Sequence, residues 1–176
     1  MKIGYFADGP WSHLALDRIL AEGDIKVAFI TARHDSPDAV LREHAKRLDV
    51  PFYVVSDVND KNFLEQIRKH EVELNVSMSF NQILKSDLID LAPRGFINCH
   101  AGALPYYRGR NILNWALING EKEFGVTVHF VDVGIDTGDI IAQTMYPIGP
   151  VDDYRKVLQT AYEGCARKHH SLFLES

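Results

Sequence analysis

Short apolar runs alternate with helix-length amphipathic segments through the first hundred residues, and that alternation leaves few folds open. Residues 2–6 read as a buried strand, broken by Asp8-Gly9-Pro10. Ser12 is expected to cap a helix that runs to about Glu22. Residues 25–30 form a second apolar strand. A helical pattern beginning at Ser36 then sets Val40, Leu41, Ala45 and Leu48 on one side. Residues 51–55 read as a third strand, Phe63, Leu64 and Ile67 as a helix face, and residues 74–78 as a fourth strand. Residues 87–91 make one or two helical turns, and residues 96–100 a fifth strand. Such alternation predicts parallel βαβ units, hence an α/β fold with a doubly wound, mostly parallel, Rossmann-like sheet. Ligands of these sheets gather outside the carboxyl ends of the strands. Three places qualify: Asp8 to Trp11, Met78 to Asn81, and the chain from Asn98 onward.

The second half follows another pattern. Residues 111–119 read as a helix stopped by Gly120, and residues 126–131 and 140–148 as strands in a mixed part of the sheet. A last helix starts near Asp152 and runs past residue 170, and the chain closes with His169-His170 and Ser171 to Ser176. No repeat, low-complexity run or linker marks a second domain, so residues 1–176 are expected to form one.

The formal net charge of -5 argues against a nucleic acid partner, because phosphate binding needs a basic surface. Cys99 and Cys165 form no CxxC pair, which removes zinc and thioredoxin-type motifs. No His and carboxylate cluster implies a metal. The opening MKIGYFADGP is not a signal peptide, and no apolar run spans a bilayer. A reduced, cytoplasmic setting is expected.

The segment Phe96-Ile97-Asn98-Cys99-His100-Ala101-Gly102-Ala103-Leu104-Pro105 carries the strongest chemical signal. Asn98 and His100 lie two apart on a strand and so share a face, while Cys99 points the other way as a small buried hydrophobe. Small residues follow and leave room for a ligand, and Leu104-Pro105 fixes a turn in which the bond is a candidate for cis. The second segment runs from Gly125-Val126-Thr127-Val128-His129 to Asp136-Thr137-Gly138, with Gly134 and Gly138 flanking Asp136. Glycines let a loop fold tightly and present a carboxylate. Asp132 and Asp139 are expected to be loop or surface carboxylates. His129 stands between a structural role and one behind the reacting groups. On the plainer reading, Asn98 closes a turn and His100 is a satisfied histidine at a strand end.

Together the two segments resemble the signature of the folate-dependent formyltransferases: Asn-x-His with Leu-Pro, then a Gly-Val-Thr strand and an Asp-Thr-Gly loop. The resemblance covers the chain from Lys2 to the last helix, with its specificity between Asn98 and Gln143. It implies transfer of a formyl group from 10-formyltetrahydrofolate to an amine. Asn98 would donate to the developing oxyanion, and a protonated His100 would do the same and move the proton to the leaving folate nitrogen. Asp136 would raise the His100 pKa and orient the ring. The folate would meet Met78, Ser79, Phe80, Asn81 and Ile83 on one side and Val133, Gly134 and Ile135 on the other. The plainer alternative makes Phe80 and Ile83 core residues.

Tyr106, Tyr107, Arg108 and Arg110 follow the His100 loop and are the candidate acceptor contacts, with stacking tyrosines and cationic arginines. Tyr-Arg-Gly-Arg followed by Asn114-Trp115 resembles the enzymes that formylate nucleotide-linked amino sugars. Pro10 and Trp11 make the first loop a poor phosphate nest, which counts against glycinamide ribonucleotide. The charge and the single domain count against methionyl-tRNA. A nucleotide-linked amino sugar is therefore the expected small-molecule partner. The identity of the sugar and a homodimer stay open. A formyltetrahydrofolate hydrolase and a non-catalytic folate-binding domain are the alternatives.

Overall fold

Each strand of the first half is a short apolar run ended by a polar or glycine-bearing turn, and each pairs with a neighbour in parallel. A computed structural model describes the backbone of residues 1–172 and side chains as far as Arg167, so the His169-His170 pair and the closing residues lie outside the described side chains. The strands are β1 (Lys2–Ala7), β2 (Lys26–Ala32), β3 (Phe52–Val54), β4 (Leu74–Met78), β5 (Phe96–His100), β6 (Glu123–Phe130) and β7 (Ile140–Pro147). The helices are α1 (Gly9–Ala21), α2 (Ala39–Leu48), α3 (Lys61–Arg68), α4 (Ser86–Ile89), α5 (Ile112–Ile118) and α6 (Tyr154–Leu172). They make one sheet in the order β3-β2-β1-β4-β5-β6-β7. β3 to β5 pair in parallel, whereas β6 runs antiparallel to β5 and β7 antiparallel to β6. This is the doubly wound α/β sheet with a mixed region that the alternation predicts.

Strand alternation divides the core in two. One face sends Ile3, Tyr5, Val76, Ile97, Cys99, Val126 and Val128 against Leu16 and Ile19 of α1, Leu41 of α2, Leu113 of α5 and Val157, Ala161 and Cys165 of α6. The other face packs Phe6, Phe29 and Phe96 under Phe63, Leu64 and Ile67 of α3 and Leu88 and Ile89 of α4. Phe6 meets Phe29 edge-on at 5.6 Å between ring centroids, and Phe96 at 5.1 Å. On this second face β5 and β6 carry polar residues instead: Asn98, His100, Thr127 and His129. The fold thus sets those side chains beside the aromatic core rather than in it.

Two local expectations change. Ser12 does not cap α1; the helix begins at Gly9 after Asp8, and the Ser12 hydroxyl donates to the Gly9 carbonyl at 2.7 Å. Pro10 explains the earlier start, because its preset φ and missing N–H suit the first helical turn. α2 begins later than Ser36, at Ala39, because the Asp38 carboxylate accepts from the Leu41 N–H at 2.9 Å and caps it there.

Candidate active site

β5 delivers Asn98 and His100 to one face, and the antiparallel register puts Asn98 opposite His129 and His100 opposite Thr127. Two loops then close over that face from opposite ends of the β5–β6 pair. Residues 101–111 leave the carboxyl end of β5 through a cis Leu104–Pro105 bond. Residues 131–139 leave β6 beside the start of β5, where the Val131 N–H donates to the Phe96 carbonyl at 2.7 Å. The second loop is braced from within. Asp132 accepts from the Gly134 N–H at 3.0 Å and from the Thr137 hydroxyl at 2.5 Å, which makes it the loop carboxylate expected. Asp136 sits in the left-handed region at φ 51°, a conformation aspartate tolerates better than most residues.

That conformation places one carboxylate between two imidazoles. Asp136 Oδ2 lies 3.5 Å from His100 Nδ1, and Oδ1 lies 3.5 Å from His129 Nε2. The loops meet where the Gly109 N–H donates to Asp136 Oδ2 at 2.9 Å. His100 Nε2 lies 2.5 Å from the Tyr107 carbonyl, an oxygen that only accepts, so Nε2 carries a hydrogen. In the neutral ring Nδ1 is then a lone pair facing Asp136, an open basic position. His129 Nδ1 donates to the Phe130 carbonyl at 2.8 Å. Its Nε2 lies 3.3 Å from Asn98 Nδ2. Neutral, that nitrogen accepts from Asn98; protonated, it donates to Asp136.

Burial disfavours a charged His100 and is the largest influence on it. The Asp136 carboxylate and the Tyr107 carbonyl pull the other way, His129 adds to burial, and the net result lies below 6.5. Asp136 pulls this pKa upward as expected, and burial outweighs that pull. Burial therefore favours the neutral form of the ring. For Asp136 itself burial pushes upward, but the His129 hydrogen bond, the His100 charge and the Gly109 N–H together hold it below the usual carboxylate value.

The structure brings Asn98, His100 and Asp136 together, and adds His129 as the group that touches two of them. Cys99 faces the opposite side, its thiol 3.9 Å from the Cys165 carbonyl, as strand alternation requires. The residues singled out for folate divide. Met78 is buried in the core and Ser79 follows it in the left-handed region, φ 57°. Phe80 is half-buried and meets Phe6 edge-on at 5.7 Å, so it packs against the aromatic core. Ile83 does not; it is 71% exposed, and Val133 (75%) and Ile135 (64%) are open in the same way. Asn81 Oδ1 is a buried oxygen with no hydrogen-bond donor. This orphan acceptor lies two residues from the open Ile83, so a donor it lacks within the protein can come from a bound molecule.

Among the acceptor candidates Tyr106, Arg108 and Arg110 are exposed. Tyr107 is committed elsewhere. Its hydroxyl donates to Glu121 at 2.6 Å and accepts from Asn119 at 3.2 Å, which ties the ring to the end of α5 instead of leaving it free to stack. Its backbone carbonyl is the part that serves the site. Main-chain contributions of this kind, from Tyr107 and Gly109, leave no residue-type signal in a sequence. Among the described residues no group of three or more His, Cys, Asp and Glu is arranged to hold a metal, and no helix is long and apolar enough to cross a membrane.

An amide donor, a neutral imidazole and a carboxylate on an open α/β sheet are equipment for acyl-group and proton transfer. Residues 10–174 match the model of the formyl transferase family, and the chain belongs to that family. Methionyl-tRNA formyltransferase of Desulforamulus reducens is 33% identical over 160 residues, which cover 86% of this chain and 50% of that enzyme. The chain spans half or less of the length of the curated relatives it matches. Among solved structures, glycinamide ribonucleotide transformylase 1 of Symbiobacterium toebii superposes with a TM-score of 0.83 at 26% identity, covering 99% of this chain and 88% of that one. A sugar N-formyltransferase from Shewanella shares the fold, with a TM-score of 0.77 at 22% identity over 97% and 67% of the two chains.

Proposed function

We propose that this protein moves the formyl group of 10-formyltetrahydrofolate onto the amino group of a nucleotide-linked amino sugar. The single observation that carries the formyl-transfer reading is the Asp136 carboxylate shared between His100 and His129, with Asn98 on the same cluster. The folate supplies the formyl group in activated form. As the amine attacks, the Asn98 amide donates to the carbonyl oxygen that takes on negative charge. The attacking nitrogen gains positive charge and gives up a proton, which Nδ1 of the neutral His100 accepts beside Asp136. The imidazolium, favoured at that moment by the carboxylate and the Tyr107 carbonyl, passes the proton to the folate nitrogen as its bond to the formyl carbon breaks. The products are a formamide and tetrahydrofolate, and the proton count closes.

What surrounds the site supports this acceptor. Arg108 and Arg110 stand exposed on the loop that serves His100, which suits a pyrophosphate. At the end of β1 the carboxylate of Asp8 precedes α1, and Pro10 lacks an N–H, so the phosphate of glycinamide ribonucleotide meets a poor cradle there. The net charge of -5 weighs against methionyl-tRNA, which the relatives' names favour. Formyl transfer from 10-formyltetrahydrofolate to a panel of nucleotide-linked 3-amino and 4-amino sugars, glycinamide ribonucleotide and methionyl-tRNA, read by mass spectrometry, tests both parts. A formyl mass gain on an amino sugar is the expected result. A gain on another acceptor replaces the acceptor, and release of formate alone replaces transfer with hydrolysis.

A further inference from the structure

Gln143 lies on β7, at the edge of the sheet, and its amide nitrogen makes two contacts across the strands. It donates to the Leu104 carbonyl at 2.9 Å and to the Thr127 hydroxyl at 2.8 Å. A carbonyl only accepts, so the nitrogen, not the oxygen, must face Leu104. The Thr127 hydroxyl in turn donates to the Gly102 carbonyl at 2.7 Å and accepts weakly from the Leu104 N–H at 3.5 Å. Thr127 is fully buried, so its bonds to residues 102 and 104 are made out of water, where an unmet partner is costly, while the two Gln143 bonds are part-buried.

These bonds hold residues 102 and 104 on either side of the turn that starts the loop. The same loop ends by placing the Tyr107 carbonyl on His100 and the Gly109 N–H on Asp136. Little slack separates the two. A side chain on Gly102 would collide with both the Tyr107 carbonyl and the His100 ring, so the start of the loop lies directly against its catalytic contact. We infer that Gln143, acting through Thr127 and the 102–109 loop, is a positioning residue that sets the ring of His100 for proton transfer. This rests on the role given to His100 above.

Gln143 is on the exposed side of an edge strand, so replacing it is expected to leave folding intact. Gln143→Met keeps the length of the side chain and removes the donor. Three readouts are compared with wild type, Thr127→Ser, which keeps the hydroxyl, and Thr127→Val, which does not. In Gln143→Met the ring nitrogen resonances of His100 are expected to move as the Tyr107 contact loosens, and kcat to fall about tenfold to a hundredfold with KM little changed. Thr127→Ser is expected to stay close to wild type on both, and Thr127→Val to follow Gln143→Met. In a His100→Ala background, Gln143→Met is expected to cost nothing further. Unmoved His100 resonances in Gln143→Met, or a full additional loss in the double variant, would overturn the inference. If the resonances move while His100→Ala retains full turnover, the positioning stands and the catalytic role of His100 falls.

Discussion

His100 is held as a neutral base by two features that oppose each other. Burial keeps the proton off, while the Tyr107 carbonyl and Asp136 prepare a place for it. Removing the ring is expected to lower turnover by about 10²–10⁴-fold, the usual worth of a positioned acid–base group. His100→Ala with a near-normal kcat and an intact melting transition would remove the role. The same burial has a consequence for stability. A histidine whose folded pKa lies below 6.5 binds its proton more readily when the chain unfolds, so its contribution is present above that pH and is lost as pH falls through the depressed value. His44 and His70 are lowered by burial as well and act in the same direction. Melting temperature is therefore expected to drop as pH falls below about 6.5, with a shallower slope in His100→Gln. Equal slopes in the two proteins would show that His100 does not contribute.

At the scale of elements, β5 and β6 form the platform and the two loops complete it. Gly125 of β6 lies under the first loop, where an added Cβ would come within 2.6 Å of the Ala103 Cα. Backbone cannot yield there as a flexible side chain would. Gly125→Ala is expected to cost about 1–3 kcal/mol by overpacking, and to reduce turnover, because the loop it displaces carries the contacts to His100 and Asp136. Unchanged urea midpoint and kcat would contradict that reading. The platform was largely legible beforehand. The apolar runs give β4 and β5 with their observed bounds, and two-residue spacing puts Asn98 and His100 on one face. What the residues could not reveal was made by the main chain or by pairing across strands. The register that sets His129 against Asn98, and Gln143 near Leu104, depends on where β6 and β7 reverse, which no local pattern encodes. The neutral state of His100 was equally hidden, since spacing shows a neighbouring carboxylate but not the depth of burial that outweighs it.

Over the whole molecule, α6 crosses back to α1 and joins the last third of the chain to the first. Trp11 meets Tyr162 edge-on at 4.4 Å, while Val157, Ala161 and Cys165 fill the core beneath. Trp11→Ala is expected to lose about 2 kcal/mol, less than a fully buried tryptophan because Trp11 is only half-buried, with kcat retained. A loss of turnover without a loss of stability would place Trp11 in the site instead. The reversal of β6 has a different kind of reach. Because it sends the two covering loops in from opposite ends of the strand pair, they meet where the N–H of Gly109 donates to Asp136. That amide is a built-in gauge. Its resonance senses the charge on Asp136 directly, and it should follow a midpoint below the ordinary carboxylate value of 3.8 rather than the titration of the surface acids. The same signal, followed as folate or acceptor is added, reports whether the clasp between the two loops stays shut while the site fills.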